Sequence, residues 1–215
     1  MIRVRKEQPT DYRKIEEITR KAFWNLYIPG ANEHYLVHNM RKHKDYMPEL
    51  SFVIEKDNEI IGSIHFTHAN IVTSDGEKIP VVHFGPVSIT PELHRKGYGR
   101  ELITHAIEQA KKAGHRAIIL AGFRYHYEPY GFISTKKYDI SMPDGKFYTG
   151  VMALPLYKGA LDDVSGKIEF STALYPDENG LEDYEKSFSP MEKLSLPKQK
   201  DFEKAASELD TEDYE

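Results

Sequence analysis

The chain has 215 residues, 40% of them apolar and 12% aromatic, enough for one globular domain with a sizeable core plus an appendage. It has no cysteine, which excludes a disulfide scaffold, a thiolate metal site and a cysteine nucleophile, and which suits a reducing cytoplasm. The net charge of −5 is unevenly shared: residues 1–156 hold 22 Lys/Arg against 18 Asp/Glu, and residues 157–215 hold 7 against 16, so a basic body suited to an anionic ligand precedes an acidic extension that argues against nucleic acid.

Ile2 to Arg5 alternate as a first strand, so the start of the chain carries no signal-peptide pattern, and no apolar run reaches the length of a membrane span. Pro9-Thr10-Asp11 then introduces a helix with the stripe Ile15, Ile18, Ala22 and Phe23. Pro29-Gly30 breaks the chain, and a second helix is predicted from Asn32 to His43. Leu50 to Ile54 is a strand, Lys56-Asp57-Asn58-Glu59 turns into Ile60 to Ile71, and Asp75-Gly76 turns again into Ile79 to Ile89. Leu102, Ile103, Ala106, Ile107 and Ala110 form one helical stripe, with Lys111 and Lys112 at its negative end and Gly114 beyond it.

Ala117 to Ala121 is a continuous apolar run, the pattern of a strand buried on both faces and paired in parallel with its predecessor. Phe132 to Met142 and Phe147 to Leu156 read as a final hairpin across Pro143-Asp144-Gly145. The fold class is therefore α/β of the mixed (α+β) kind: a twisted mixed sheet of six to seven strands with helices on both faces. From Tyr157 the chain turns acidic, although Ile168, Phe170, Leu174 and Tyr175 allow one more strand, and Phe188 and Met191 can pack back on the body. Asp201 to Glu215 is expected to be a frayed helix or disordered.

The run Val87-Ser88-Ile89-Thr90-Pro91-Glu92-Leu93-His94-Arg95-Lys96-Gly97-Tyr98-Gly99-Arg100 carries the strongest chemical signal. A strand, a glycine turn and a helix N-terminus make a concave set of free backbone N–H groups, which is what a phosphate needs. No Gly-x-Gly-x-x-Gly is present, because Leu102 stands where the third glycine belongs, and no Gly-Lys-Ser/Thr closes a P-loop. A dinucleotide-binding domain and an NTPase are thereby disfavoured.

Phe84-Gly85-Pro86-Val87-Ser88-Ile89 with Pro91 to Gly99 resembles the acetyl-CoA signature of the GNAT superfamily of N-acetyltransferases, Gln/Arg-x-x-Gly-x-Gly/Ala after a strand, with His94 in place of the first residue. Downstream, Tyr127-Glu128-Pro129-Tyr130-Gly131-Phe132 resembles the superfamily's Tyr-x-x-x-Gly-Phe element. The resemblance covers residues 1–156, read as a GNAT-type domain, with 157–215 an acidic extension partly packed on it. It implies acetyl-CoA as co-substrate and an acetyl transfer to a primary amine by direct attack in a ternary complex. It further implies that Val87, Ser88 and Ile89 pair with the pantetheine arm through their backbone, and that the amides from Arg95 through Lys96, Gly97, Tyr98 and Gly99 to Arg100 hold the pyrophosphate.

Such a transfer needs a deprotonated amine, a polarised carbonyl, alignment, and a proton for the leaving thiolate. The resemblance makes Tyr127 the general acid, since a phenol with an ordinary pKa of about 10 is protonated at neutral pH. Tyr125 is its nearest rival, and a ring packed against Pro129 and Phe132 is the structural alternative. For the base, His83 on the strand leading into the signature is one candidate, set against a histidine hydrogen-bonded across the sheet. Glu33 and His34 are the others, beside Phe23, Trp24, Tyr27 and Tyr35 in the region that lines the acceptor pocket in similar proteins.

His34 and His38 are four apart, but Tyr35 stands where a zinc motif needs Glu and no third ligand is evident, so no metal is expected. The acceptor, a small molecule or a peptide amine, stays open at this level, as does the oligomeric state, homodimers being common among similar proteins. No nucleic acid and no membrane are expected as partners. Two other readings stand beside the enzyme: a non-catalytic acyl-CoA-binding or sensor protein of the same fold, and an interaction protein that works through its acidic tail.

Overall fold

Gln8-Pro9-Thr10-Asp11 starts the first helix as its residues dictate: Pro9 sits at the first helical position, and Asp11 accepts a hydrogen bond from the Gln8 amide at 2.8 Å. The computed structural model describes residues 1–214. In chain order the elements are β1 (Ile2–Lys6), α1 (Tyr12–Phe23), α2 (Glu33–Met40), β2 (Phe52–Lys56), β3 (Glu59–Val72), β4 (Lys78–Ile89), α3 (Tyr98–Lys112), β5 (Ala117–Ala121), α4 (Arg124–Tyr127), β6 (Ile133–Ser134), β7 (Ile140–Ser141), β8 (Val151–Pro155), β9 (Gly166–Phe170), α5 (Leu181–Glu185) and α6 (Pro197–Ser207). They make a mixed α/β fold with mostly antiparallel pairing and flanking helices. No helix among the described residues is long and apolar enough to cross a membrane.

The chain forms two compact units from alternating segments: residues 1–66, 85–106 and 172–201 in one, and residues 67–84, 107–171 and 202–214 in the other. In the first, β1 pairs antiparallel with β2 (Ile2↔Lys56 to Lys6↔Phe52), and β2 with the start of β3 (Phe52↔Ile64). The stripe of α1 does what its period requires, burying Ile15 against Val37 of α2 and Val53 of β2. Gly62 is needed for close approach, because a Cβ there would overlap the Ser88 carbonyl oxygen and the Ile89 side chain. Gly62→Ala is therefore expected to destabilise the protein by about 3 kcal/mol, read as a lower urea midpoint.

In the second unit, the end of β3 and the start of β4 form a hairpin closed by the Thr73 amide on the Glu77 carbonyl (3.0 Å). β4 runs parallel to β5 (Val82↔Ile118), and β5 pairs antiparallel with β8 (Ala117↔Pro155 to Ala121↔Val151). β6 pairs with β8, β9 with the end of β3, and β7 runs parallel to β9. Ile71, Ile119, Ile140, Ala153 and Ile168 fill the core between them, none of them exposed.

Several elements depart from the sequence expectation. Phe132 to Met142 is not one strand but β6, a 3-10 turn and β7, because the Ser134 hydroxyl accepts the Lys136 amide at 3.1 Å and Asp139 takes a left-handed φ of 52°. Its two halves then pair with different strands, β6 with β8 and β7 with β9, so the Pro143-Asp144-Gly145 turn, closed by the Met142 amide on the Lys146 carbonyl, does not pair β7 with β8. Nine strands result among the described residues, in place of six to seven. α2 stops at Met40 and not at His43, where the His43 amide bonds back three residues to the Met40 carbonyl. The extra strand reaches only Phe170, since Leu174 lies in a 3-10 turn.

Of the two residues expected to pack back, Phe188 is buried and Met191 is 37% exposed. The stretch expected to fray opens inside α6, which begins earlier at Pro197 and ends at Ser207, and beyond the helix the Asp210 amide bonds the Phe147 carbonyl while Glu212 pairs with Arg124. Glu215 lies outside the described residues.

Candidate functional site

In the first unit, β4 ends in Val87-Ser88-Ile89 and runs into a short 3-10 turn, Pro91–Leu93. Arg95 and Gly97 both take left-handed backbone, with φ of 61° and 91°. That double reversal turns the chain into α3, whose first intrahelical bond is donated by the Glu101 amide to the Gly97 carbonyl (3.1 Å). The amides ahead of it are those that a helix N-terminus leaves for an anion.

Arg95, Lys96 and Arg100 are exposed, and none is in an ion pair among the described residues. Lys96 Nζ donates to the Glu92 carbonyl, and the His94 ring donates from Nε2 to the Ile89 carbonyl at 2.7 Å, tying the turn to the end of β4. A Cβ at Gly97 would meet nothing within 4 Å, and one at Gly99 would touch only Ile89 Cγ1 at 3.7 Å, so neither glycine is crowded by its surroundings. These residues fit a pyrophosphate: donors, unneutralised cations and room. Gly97→Ala is expected to cost about 1 kcal/mol of stability through its backbone and to weaken CoA binding, measured by titration calorimetry.

Ser88 is held differently. Its hydroxyl is buried and lies 3.1 Å from both Thr19 Oγ1 and Ser63 Oγ; Ser63 in turn lies 3.2 Å from His65 Nε2. Near His65, Glu7 accepts hydrogen bonds from Arg41 and Tyr46, and Arg41 also reaches Glu16 at 2.6 Å. This buried polar network anchors β4 from beneath, and sequence reasoning missed it. The available signal was the period-two run Ser63, His65, Thr67, which places three polar side chains on one face of β3.

Glu33, at the start of α2, is half-buried and accepts the Asn32 amide at 3.2 Å. Burial pushes its carboxyl up to about 7, against the opposing pull of the backbone N–H groups of Glu33 and Asn32. His34 is fully buried against Tyr184 and Phe188, and burial pulls it down to about 4. The neighbouring rings serve packing: Tyr35 on Tyr184, Tyr27 on Phe23, and Trp24 beneath the Arg20 guanidinium at 4.2 Å. His38 binds Glu16 through Nδ1 at 3.1 Å, and no group of three or more metal-type ligands is arranged to hold an ion among the described residues.

In the second unit, Gly122 at the end of β5 lets the Tyr127 ring lie against the backbone: a Cβ there would stand 2.6 Å from Tyr127 Cε2. Phe84 and Phe132 hold the same ring at centroid distances of 5.8 and 5.9 Å, whereas Tyr125 is 65% exposed. Of the two tyrosines, Tyr127 is therefore the positioned one. Contact with Phe132 is common to the catalytic and the packing readings.

His83 is buried and donates through Nδ1 to the Ile119 carbonyl at 3.1 Å, its edge against Phe170; burial pulls it down to about 4. Successive side chains of a strand point to opposite faces. Phe84 faces Tyr127, so His83 lies on the other face of β4, and the structure does not bring His83 and Tyr127 together.

The profile described as Acetyltransferase (GNAT) family matches residues 20–132. No curated protein matches the chain in sequence. Among solved structures, a GNAT family N-acetyltransferase from Escherichia coli in complex with CoA is similar with a TM-score of 0.71 at 21% identity, over 81% of this chain and 92% of that one. A GNAT family acetyltransferase from Brucella melitensis in complex with acetyl-CoA has a TM-score of 0.64 at 26% identity, over 80% and 97%. The ribosomal-protein-S18-alanine N-acetyltransferase of Escherichia coli has a TM-score of 0.52 at 19% identity, over 74% and 96%.

Proposed function

The chain belongs to the GNAT acetyltransferase family, and we propose that it is an acetyl-CoA-dependent N-acetyltransferase that serves a primary amine by direct attack in a ternary complex. The observation that carries this reading is the open turn from Arg95 to Arg100, with its left-handed Gly97 and three cations outside any ion pair among the described residues. The two similar structures with CoA and acetyl-CoA bound support the choice of co-substrate.

When bound, the thioester supplies the acetyl group. The amides from Arg95 to Arg100 hold the pyrophosphate, Arg95, Lys96 and Arg100 neutralise its charge, and the backbone of Val87, Ser88 and Ile89 orients the pantetheine arm. Tyr127 donates its phenolic proton to the departing sulfur. Glu33 accepts the proton of the incoming amine, since a carboxyl with a pKa near 7 is half-ionised at neutral pH and a stronger base than an ordinary carboxylate. His83, at about 4 and hydrogen-bonded into the sheet, is assigned to structure. A cysteine-free chain suits the cytoplasm, which we propose as its location.

The test is a screen of acetyl-CoA against an amine library, reading free CoA. Acetylated product with stoichiometric CoA release supports the reading. CoA bound tightly with no turnover on any amine class would replace it with the acyl-CoA sensor.

A further inference from the structure

The second unit holds a cavity of about 290 Å³ beneath α6. We propose that it receives the apolar part of the acceptor, so that the preferred substrates are small primary amines carrying an aromatic or branched apolar group; this rests on the acetyltransferase reading.

The floor comes from Ala121 and Gly122 at the end of β5 and from Thr149-Gly150-Val151 leading into β8. It is tight and backbone-lined: the Gly122 amide donates to the Gly150 carbonyl at 2.9 Å, and a Cβ at Gly150 would stand 3.0 Å from the Gly122 carbonyl oxygen. The walls are rings, Phe123, Tyr125, Tyr148 and Phe202, with Phe123 and Phe202 edge to face at 5.7 Å. Ala205 and Ala206 of α6 leave the space open where larger side chains would fill it.

Charge selects the other end of the ligand. Among the described residues, Glu208 is the one acidic side chain lining the cavity, exposed and 3.2 Å from Thr149 Oγ1, and the one basic side chain, Arg124, is taken up by Glu128 and Glu212. A carboxylate among aromatic faces favours an ammonium group on arrival. The volume sits at the lower end of small-molecule sites, which favours a free amine over a folded protein. Gly122 is both floor of the cavity and seat of the Tyr127 ring, so the cavity adjoins the proposed acid.

The test uses the full-length protein with phenethylamine, ethylamine and spermidine, measuring equilibrium binding by calorimetry and kcat/KM by CoA release. Phenethylamine is expected to exceed ethylamine by about tenfold or more in kcat/KM. Ala206→Trp, on an exposed helix face, is expected to cut that ratio about tenfold, and Phe202→Ala to weaken phenethylamine binding by a similar factor. Glu208→Gln is expected to raise KM for phenethylamine about threefold at low salt. A preference for ethylamine or spermidine, or a ratio unmoved by Ala206→Trp, overturns the cavity assignment while leaving acetyl transfer standing. Phenethylamine binding that Ala206→Trp abolishes, without turnover of any amine, keeps the cavity as an amine site and overturns the transferase reading.

Discussion

Replacing Tyr127 with Phe is expected to lower kcat by about a hundredfold or more while leaving the affinity for CoA unchanged. The substitution removes one oxygen and keeps the ring, so the contacts with Phe84, Phe132 and Gly122 that hold α4 in place survive. A loss confined to kcat means that the missing hydroxyl acts in the transition state, not in binding. An unaltered kcat would leave the ring as packing and return the acid to Tyr125 or to solvent. Thermal unfolding of the variant at the wild-type temperature is the accompanying control.

Glu33→Gln carries the second large effect, and its signature is a pH profile. In the wild type kcat/KM is expected to climb as pH rises through about 7, where the Glu33 carboxyl ionises. The Gln variant is expected to lose that limb and about a hundredfold in rate.

Stability moves the opposite way. The folded pKa is raised above the ordinary carboxyl value of 4.5, so between 4.5 and 7 the unfolded chain has released a proton that the folded chain keeps. The contribution of Glu33 is thus fully present below 4.5 and is lost as pH rises through 7. Glu33→Gln should flatten this part of the stability curve and melt above the wild type at pH 8, by calorimetry across a pH series. A variant that is slower but shows the wild-type pH dependence of both rate and melting would remove Glu33 from the role of base.

Sequence alone revealed the elements whose pattern is local. The helical period of Leu102, Ile103, Ala106 and Ala110, and the unbroken run Ala117 to Ala121, required no tertiary information. The strand–turn–helix run from Val87 to Arg100 was legible for the same reason, since a left-handed Gly97 between a strand and a helix is a property of a few consecutive residues. The segment from Phe132 to Met142 was misread because its apolar alternation is real, but Ser134 and Asp139 give the backbone competing hydrogen bonds and turns that alternation does not report.

The candidate site was legible only where chemistry follows from residue type. His83 and Glu33 look equally able to accept a proton on paper. Burial separates them, lowering an imidazole that loses water and raising a carboxyl that does the same, and burial depends on partners far along the chain. The network under Ser88 joins Glu7, Thr19, Arg41, Ser63 and His65, and the cavity beneath α6 joins residues 121–125, 148–151 and 202–208. Only folding assembles either one.

Direct transfer is tested most sharply by initial velocities with acetyl-CoA varied at several fixed amine concentrations. Intersecting reciprocal plots, with no acetyl group retained on the protein by intact-mass measurement, are expected for attack within a ternary complex. Parallel lines with an acetylated protein would contradict it, placing a covalent intermediate between cofactor and amine.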